Sequence, residues 1–339
     1  MKALVWTAPH KMEWKEVPDV ERPVEGWVRG VSVAVGICGS EVSAYLGHNE
    51  LRRPPLVMGH EFSMRLMEDV PERGLNEGDL ITVNPLVTCG QCRACRAGQR
   101  QLCRQRRIIG IDFPGSFGEQ LWVPASQCYK VTDEVYGSLV EPLACAVRAG
   151  SQAGVQLGDA VMVIGAGIIG LMSAWVARER GASRVIVTDT NETRLVQAAD
   201  WGATDTVNAK SRDVDEWVAE TFPEGVDAVI DAVGFESTRQ TSLRVVRRGG
   251  RVVWIGLHEN ASQVPGNQVV RDEIEVVGSF CYTDEEFSRA VALVNAGSLP
   301  ADGRWLDVRE MAQGPDAFRE QAEGPAPFAK IVLTHGRLR

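Results

Sequence analysis

Residues 160–177 carry no charged side chain, a run just long enough to cross a bilayer as a helix. Its interior argues for something else. Gly165, Gly167 and Gly170 interrupt it, and residues 160–164 (AVMVI) are short and rich in β-branched side chains. A buried strand, a glycine turn and a buried helix account for this pattern better than a membrane span. A chain built on that unit is committed to an α/β architecture.

The rest of the second half repeats the alternation. Apolar runs at 185–188, 226–230, 251–255 and 274–278 read as further buried parallel strands, with a short weaker one at 204–207. Helical stretches at 168–180, 192–200, 213–221 and 236–247 separate most of them. Gly181, Gly202, Gly225 and the pair Gly249-Gly250 fall where helices should stop. Six strands with crossover helices predict a doubly wound, Rossmann-type parallel sheet. The first 140 residues differ: strand-like runs are broken by Gly, Pro and Asp, with few helical periods. Helical stretches at 284–296 and 315–322 and a strand at 328–334 follow the parallel sheet, and we expect them to return to the β-rich part. The expected domains are therefore 1–141 with 281–339, mostly β, and 142–280, dinucleotide-binding.

Net charge is −9 and the pI about 5.2, an acidic balance that speaks against nucleic acid as a partner. Eight cysteines in 339 residues are too few for a disulfide scaffold. Residues 1–6 run into Pro9, His10 and Lys11 with no apolar signal region, so a reducing, cytoplasmic location is expected and no membrane association.

Gly165-Ala166-Gly167-Ile168-Ile169-Gly170 joins the first strand to its helix. In a dinucleotide site the first glycine makes the turn, the second admits the pyrophosphate, and the third lets helix and strand approach. Phosphate then meets the helix N-terminus. Asp189 ends the following strand, where a carboxylate bonds ribose hydroxyls and repels a 2′-phosphate, favouring NAD over NADP. Arg194 lies nearby, where it either softens the NAD preference, stacks on adenine or is a solvated helix residue.

Cys89, Cys92, Cys95 and Cys103 stand at C-x2-C-x2-C-x7-C spacing, which closes a tetrahedral zinc site from one loop and leaves no position open. Two disulfides or four unpaired thiols are the alternative. Three other segments bear ligand types: Gly36-Ile37-Cys38-Gly39-Ser40-Glu41, Gly59-His60-Glu61, and Glu141-Pro142-Leu143-Ala144. Together they offer one sulfur, one nitrogen and one or two carboxylates, the inventory of a catalytic zinc with one open position.

On these motifs, in this order, the chain resembles the zinc-dependent medium-chain alcohol dehydrogenases, and is most similar to their sorbitol/polyol and threonine dehydrogenase branch. The resemblance implies a GroES-like β domain beside a Rossmann domain, with the active site in the cleft. It implies a catalytic zinc on Cys38 and His60, with Glu141 preferred as third ligand and Glu61 alternating with it or standing behind. It implies a structural zinc on Cys89, Cys92, Cys95 and Cys103, and leaves Cys128, Cys145 and Cys281 as buried thiols. The implied reaction is reversible oxidation of a secondary alcohol by NAD, with Ser40 taking the proton and Glu41 orienting His60. A homodimer or homotetramer paired at the sheet edge, through strands near 252–255 and 274–278, is implied too.

Two departures stand out. Ser43 occupies the place where many relatives have a proton-relaying histidine, leaving water or His48 as the outlet. Residues 279–282 (SFCY) lack the arginine that often accompanies tyrosine in polyol dehydrogenases, which argues against sorbitol itself. Tyr45, Phe113 and Phe117 are candidates for pocket walls. The alternatives are a threonine- or butanediol-type enzyme, a non-catalytic NAD-binding protein that kept the fold, and a zinc-only module.

Overall fold

A computed structural model describes residues 1–49, 51–301, 303–324 and 327–336. The chain divides into two units, Met1–Glu141 with Thr283–Leu299 and Leu306–Arg339, and Pro142–Tyr282 with Pro300–Trp305.

The second unit is built on six parallel strands in the order Asp205–Asn208, Arg184–Asp189, Ala160–Ile164, Val226–Asp231, Val246–Trp254, Glu275–Gly278. The uncharged run resolves into the strand Ala160–Ile164 and the helix Ile168–Glu179. Among the described residues no helix is long and apolar enough to cross a membrane. Strand order reverses beside Ala160–Ile164, so the glycine turn sits at the carboxyl end of the sheet at its switch point, where such sheets take ligands. Met162, Ile164, Ile186, Val229 and Val252 fill one core of this unit. The strand Val246–Trp254 lies inside the sheet, between its neighbours; only Glu275–Gly278 is at that edge. Residues 252–255 therefore do not supply an edge.

Residues 300–305, expected in the β-rich part, fall in the second unit. The cause is local: Trp305 packs edge-on against Trp201 at 4.8 Å between ring centres, and Arg304 pairs with Asp200 at 2.6 Å.

The first unit is organised by a seven-stranded sheet whose central strand is Trp27–Gly36. Glu61–Leu66, Gln120–Pro124 and Lys330–Thr334 pair with it, all antiparallel. The chain's last strand thus lies beside residues near its start. Its core includes Phe62, Phe117, Phe318, Ile331 and Leu333. Tyr45 and Phe117 both pack on Phe318 at 5.8 Å, and Phe113 on Trp27 at 4.8 Å, so these aromatics serve the core.

Candidate active site

The strand Trp27–Gly36 ends at Ile37, and the helix Gly39–Tyr45 starts immediately, with Cys38 as its N-cap residue. Glu41 closes that turn, its Oε2 accepting the Cys38 backbone N–H at 3.1 Å. Its Oε1 accepts the Gly59 backbone N–H at 2.9 Å and meets His60 Nδ1 at 2.8 Å. One buried carboxylate therefore ties the cysteine turn to the histidine. It also fixes the ring: Nδ1–H donates to Glu41 and Nε2 is left as the ligand atom, the arrangement metal-bound histidines adopt. Burial disfavours the Glu41 carboxylate, but His60 and Arg52 outweigh it and lower its pKa. Burial likewise disfavours a charged His60, yet Glu41 and Cys38 raise its pKa well above the ordinary value.

Cys38, His60 and Glu61 offer ligand atoms that all lie within 4.8 Å of one another. Glu61 starts the strand Glu61–Leu66 and is 1% exposed. The ammonium of Lys330, whose side chain is 0% exposed, donates to Glu61 Oε2 and to the Ile37 carbonyl, the latter at 2.9 Å. Glu141 is buried in the first turn of the helix Val140–Ala153. The gathered set is one thiolate, one imidazole and the Glu61 carboxylate, which suits zinc, an ion that takes S, N and O ligands alike; Glu141 is not part of that group. Ser40, at the start of the helix, gives its hydroxyl to Cys38 Sγ at 3.3 Å and accepts Arg52 Nη2 at 3.2 Å.

The four-cysteine loop gathers separately. Sγ separations are 3.9 Å for Cys89–Cys95, 3.5 Å for Cys92–Cys95 and 3.6 Å for Cys103–Cys89. A zinc ion with bonds of about 2.3 Å sets tetrahedral edges of about 3.8 Å, so the cage has the size of the ion. These separations are far beyond a disulfide bond of about 2.05 Å, and all four cysteines are free. Backbone N–H groups of Gln91 and Cys92 lower the Cys89 pKa to about 6, while burial raises that of Cys95 in the same cage to about 11. Outside the cage, burial pushes the Cys128 thiol up to about 12. Cys145 and Cys281 are half-buried, less enclosed than expected.

In the second unit, Gly165 adopts φ +96°, a left-handed conformation that side chains rarely take. A Cβ on Gly170 would lie 1.7 Å from the Gly165 carbonyl oxygen, which explains the third glycine. Around Gly167 there is open space. The N–H groups of Ile168 and Ile169 open the helix, ahead of the bond from Leu171 N–H to Gly167 O, and are available to an anion. Asp189 uses Oδ2 to accept Ala166 N–H at 2.7 Å and Oδ1 to accept Asn191 N–H at 2.8 Å. Each oxygen keeps a second lone pair for a ribose hydroxyl. Arg194 is half-buried in the first turn of Glu192–Asp200, its Nε without a partner.

Residues 25–133 match the model of the alcohol dehydrogenase GroES-like domain, and residues 169–296 that of the zinc-binding dehydrogenases. An L-idonate 5-dehydrogenase of Vitis vinifera is 36% identical over 262 residues, 74% of this chain and 72% of its own. An L-threonine 3-dehydrogenase of Serratia proteamaculans is 31% identical over 311 residues, 88% of this chain and 89% of its own. The chain belongs to the zinc-type medium-chain dehydrogenases. A zinc-binding dehydrogenase of Sinorhizobium meliloti 1021, solved bound to NADP, superposes on this dehydrogenase with a TM-score of 0.90 at 30% identity, covering 98% of this chain and 99% of its own.

Sequence reasoning missed two residues of this candidate site. Lys330 reads as the polar end of an apolar strand, and Arg52 as half of an exposed basic pair beside Pro54 and Pro55. The only signal for Lys330 was a charge directly abutting the apolar residues 331–333; Arg52 gave none.

Proposed function

We propose that this dehydrogenase uses NAD to oxidise a secondary alcohol, a polyol or sugar-derived alcohol, reversibly to the ketone. The observation that carries the reading is the convergence of Cys38, His60 and Glu61 around one point, with the Ser40 hydroxyl against Cys38. Zinc, when bound, would supply a Lewis acid that makes the alcohol hydroxyl more acidic, and NAD would supply the hydride acceptor. Cys38 and His60 would hold the ion, with Glu141 as the third ligand and Glu61 either exchanging with it or staying on Lys330. Glu41 holds His60 in its ligating tautomer. Ser40 receives the alcohol proton and passes it to water, since Ser43 offers no imidazole. Gly167, Ile168 and Ile169 cradle the pyrophosphate, and Asp189 bonds the adenosine ribose and disfavours a 2′-phosphate.

L-idonate and L-threonine both carry a secondary hydroxyl, and relatives named for them set the substrate range worth testing. A smaller alcohol of the threonine type is the second reading, supported by the threonine dehydrogenases matched over 88% of the chain. Cytoplasmic location and a homodimer or homotetramer paired through the edge strand Glu275–Gly278 accompany the proposal.

The test is NADH formation across polyols, aldonates, threonine and short diols by zinc-loaded enzyme. One responding class names the substrate family; no response from any class, with zinc and NAD bound, counts against an alcohol-oxidising enzyme.

A further inference from the structure

Arg52 lies between the exposed Leu51 and Arg53, yet it is only 4% exposed. Its Nη1 donates to the Ser40 carbonyl at 3.3 Å and its Nη2 to the Ser40 hydroxyl at 3.2 Å. Its Nε is buried with no partner. Among the described residues no carboxylate forms an ion pair with it. Glu41 is the acid whose field it feels, but both Glu41 oxygens are already occupied by Cys38 N–H, Gly59 N–H and His60. A guanidinium has five N–H donors, and Ser40 uses two of them.

A buried guanidinium with no direct ion-pair partner among the described residues, and only the already engaged Glu41 for a charged neighbour, is suited to meet an arriving anion. Ser40 locates that place. Its hydroxyl touches both the guanidinium and Cys38 Sγ. A substrate whose hydroxyl reaches Ser40 and Cys38 therefore holds an adjacent acid group within reach of Arg52. The planar fork of arginine matches a carboxylate with paired N–H donors, which a lysine ammonium does not.

We propose that Arg52 is a specificity-determining residue that receives a carboxylate of the substrate, so that the preferred alcohol is a hydroxy acid with its carboxylate one or two carbons from the carbinol. This rests on the alcohol-oxidising reading above and narrows it.

The experiment uses zinc-loaded, full-length enzyme and pairs that differ at the acid group: 3-hydroxybutyrate with 2-butanol, L-threonine with its amide, and an aldonate with its alditol. Wild type, Arg52→Lys and Arg52→Met are compared by kcat/KM with NAD and by the shift in Tm that each compound produces in the presence of NADH. Circular dichroism establishes that the variants fold, and Arg52→Lys keeps the charge where Arg52→Met removes it. In wild type the acid of at least one pair is preferred and raises Tm. Arg52→Met loses that preference by roughly tenfold to a hundredfold, mostly through KM, as expected for a lost charge-assisted bond, and its Tm response disappears. Arg52→Lys retains part of both. Equal use of acid and neutral members by wild type overturns the inference while leaving alcohol oxidation standing. So does an equal loss for both members in Arg52→Met, which assigns Arg52 to holding Ser40. If nothing is oxidised, the Tm shifts decide: no acid stabilising the wild-type NADH complex overturns the inference as well.

Discussion

Lys330 and Glu61 form an ion pair sealed inside the first unit, with side-chain exposures of 0% and 2%. The sheet makes room for it. A Cβ on Gly36 would come within 2.4 Å of Glu61 Oε2 and 2.6 Å of Lys330 Cε. Burial works against the ammonium, but Glu61 and Cys38 outweigh it and raise the Lys330 pKa. Glu61 is thus held by a cation of the protein's own.

Removing one partner of such a pair leaves a buried charge uncompensated. Lys330→Met should destabilise the protein by about 3–5 kcal/mol in urea unfolding. Adding Glu61→Gln to it should recover a substantial part. If the double variant is as unstable as both single losses combined, the pair is not the source of the effect.

The cysteine cage predicts a metal count. Cys92→Ser or Cys103→Ser should lower bound zinc from two ions per chain to one, measured by elemental analysis, and lower Tm by several degrees. A structural site contributes its binding free energy to folding, so the loss appears as stability first and activity second.

Asp189 predicts cofactor choice. Asp189→Ser removes the carboxylate that repels a 2′-phosphate, and kcat/KM for NADP relative to NAD should rise at least tenfold. The same change frees the N–H groups of Ala166 and Asn191, so some loss with NAD is expected as well.

Acid sensitivity has one traceable source in His335. Burial pushes its pKa down to about 4 from the ordinary value of 6.5, against the bond from its Nε2 to the Ser116 carbonyl. The unfolded chain therefore binds more protons than the folded one between those values. The stability from keeping this ring neutral is complete above pH 6.5 and is lost as pH falls towards 4. The ring is partly exposed, so the loss should be about 1–2 kcal/mol. His335→Gln should flatten the stability profile over that window; an unchanged slope removes His335 as its source.

How much of this was legible in the sequence depends on whether a residue acts through its neighbours in the chain. The glycine turn is a local device, so its strand, helix and Asp189 could be placed from spacing. The four-cysteine loop is equally self-contained. Glu41 was readable as the partner of His60 through the resemblance, and the bond is there at 2.8 Å. Lys330 was not readable. It meets Glu61 from 269 positions away, through the pairing of the last strand with Trp27–Gly36. Arg52 was hidden for a different reason: its neighbours Leu51, Arg53, Pro54 and Pro55 are exposed, and only the fold turns this one side chain inward. The misplaced residues 300–305 follow the same rule, being held by Trp201 and Asp200 about a hundred positions earlier.

The most direct measurement is the initial rate of NADH formation from the best substrate by zinc-loaded enzyme, before chelation, after it, and after zinc is restored, with Cys38→Ser in parallel. The account predicts turnover that chelation abolishes and zinc restores, and a Cys38→Ser variant that keeps the zinc of the four-cysteine loop but loses at least a hundredfold in kcat/KM. Undiminished turnover by Cys38→Ser, or by enzyme stripped of both ions, would contradict it.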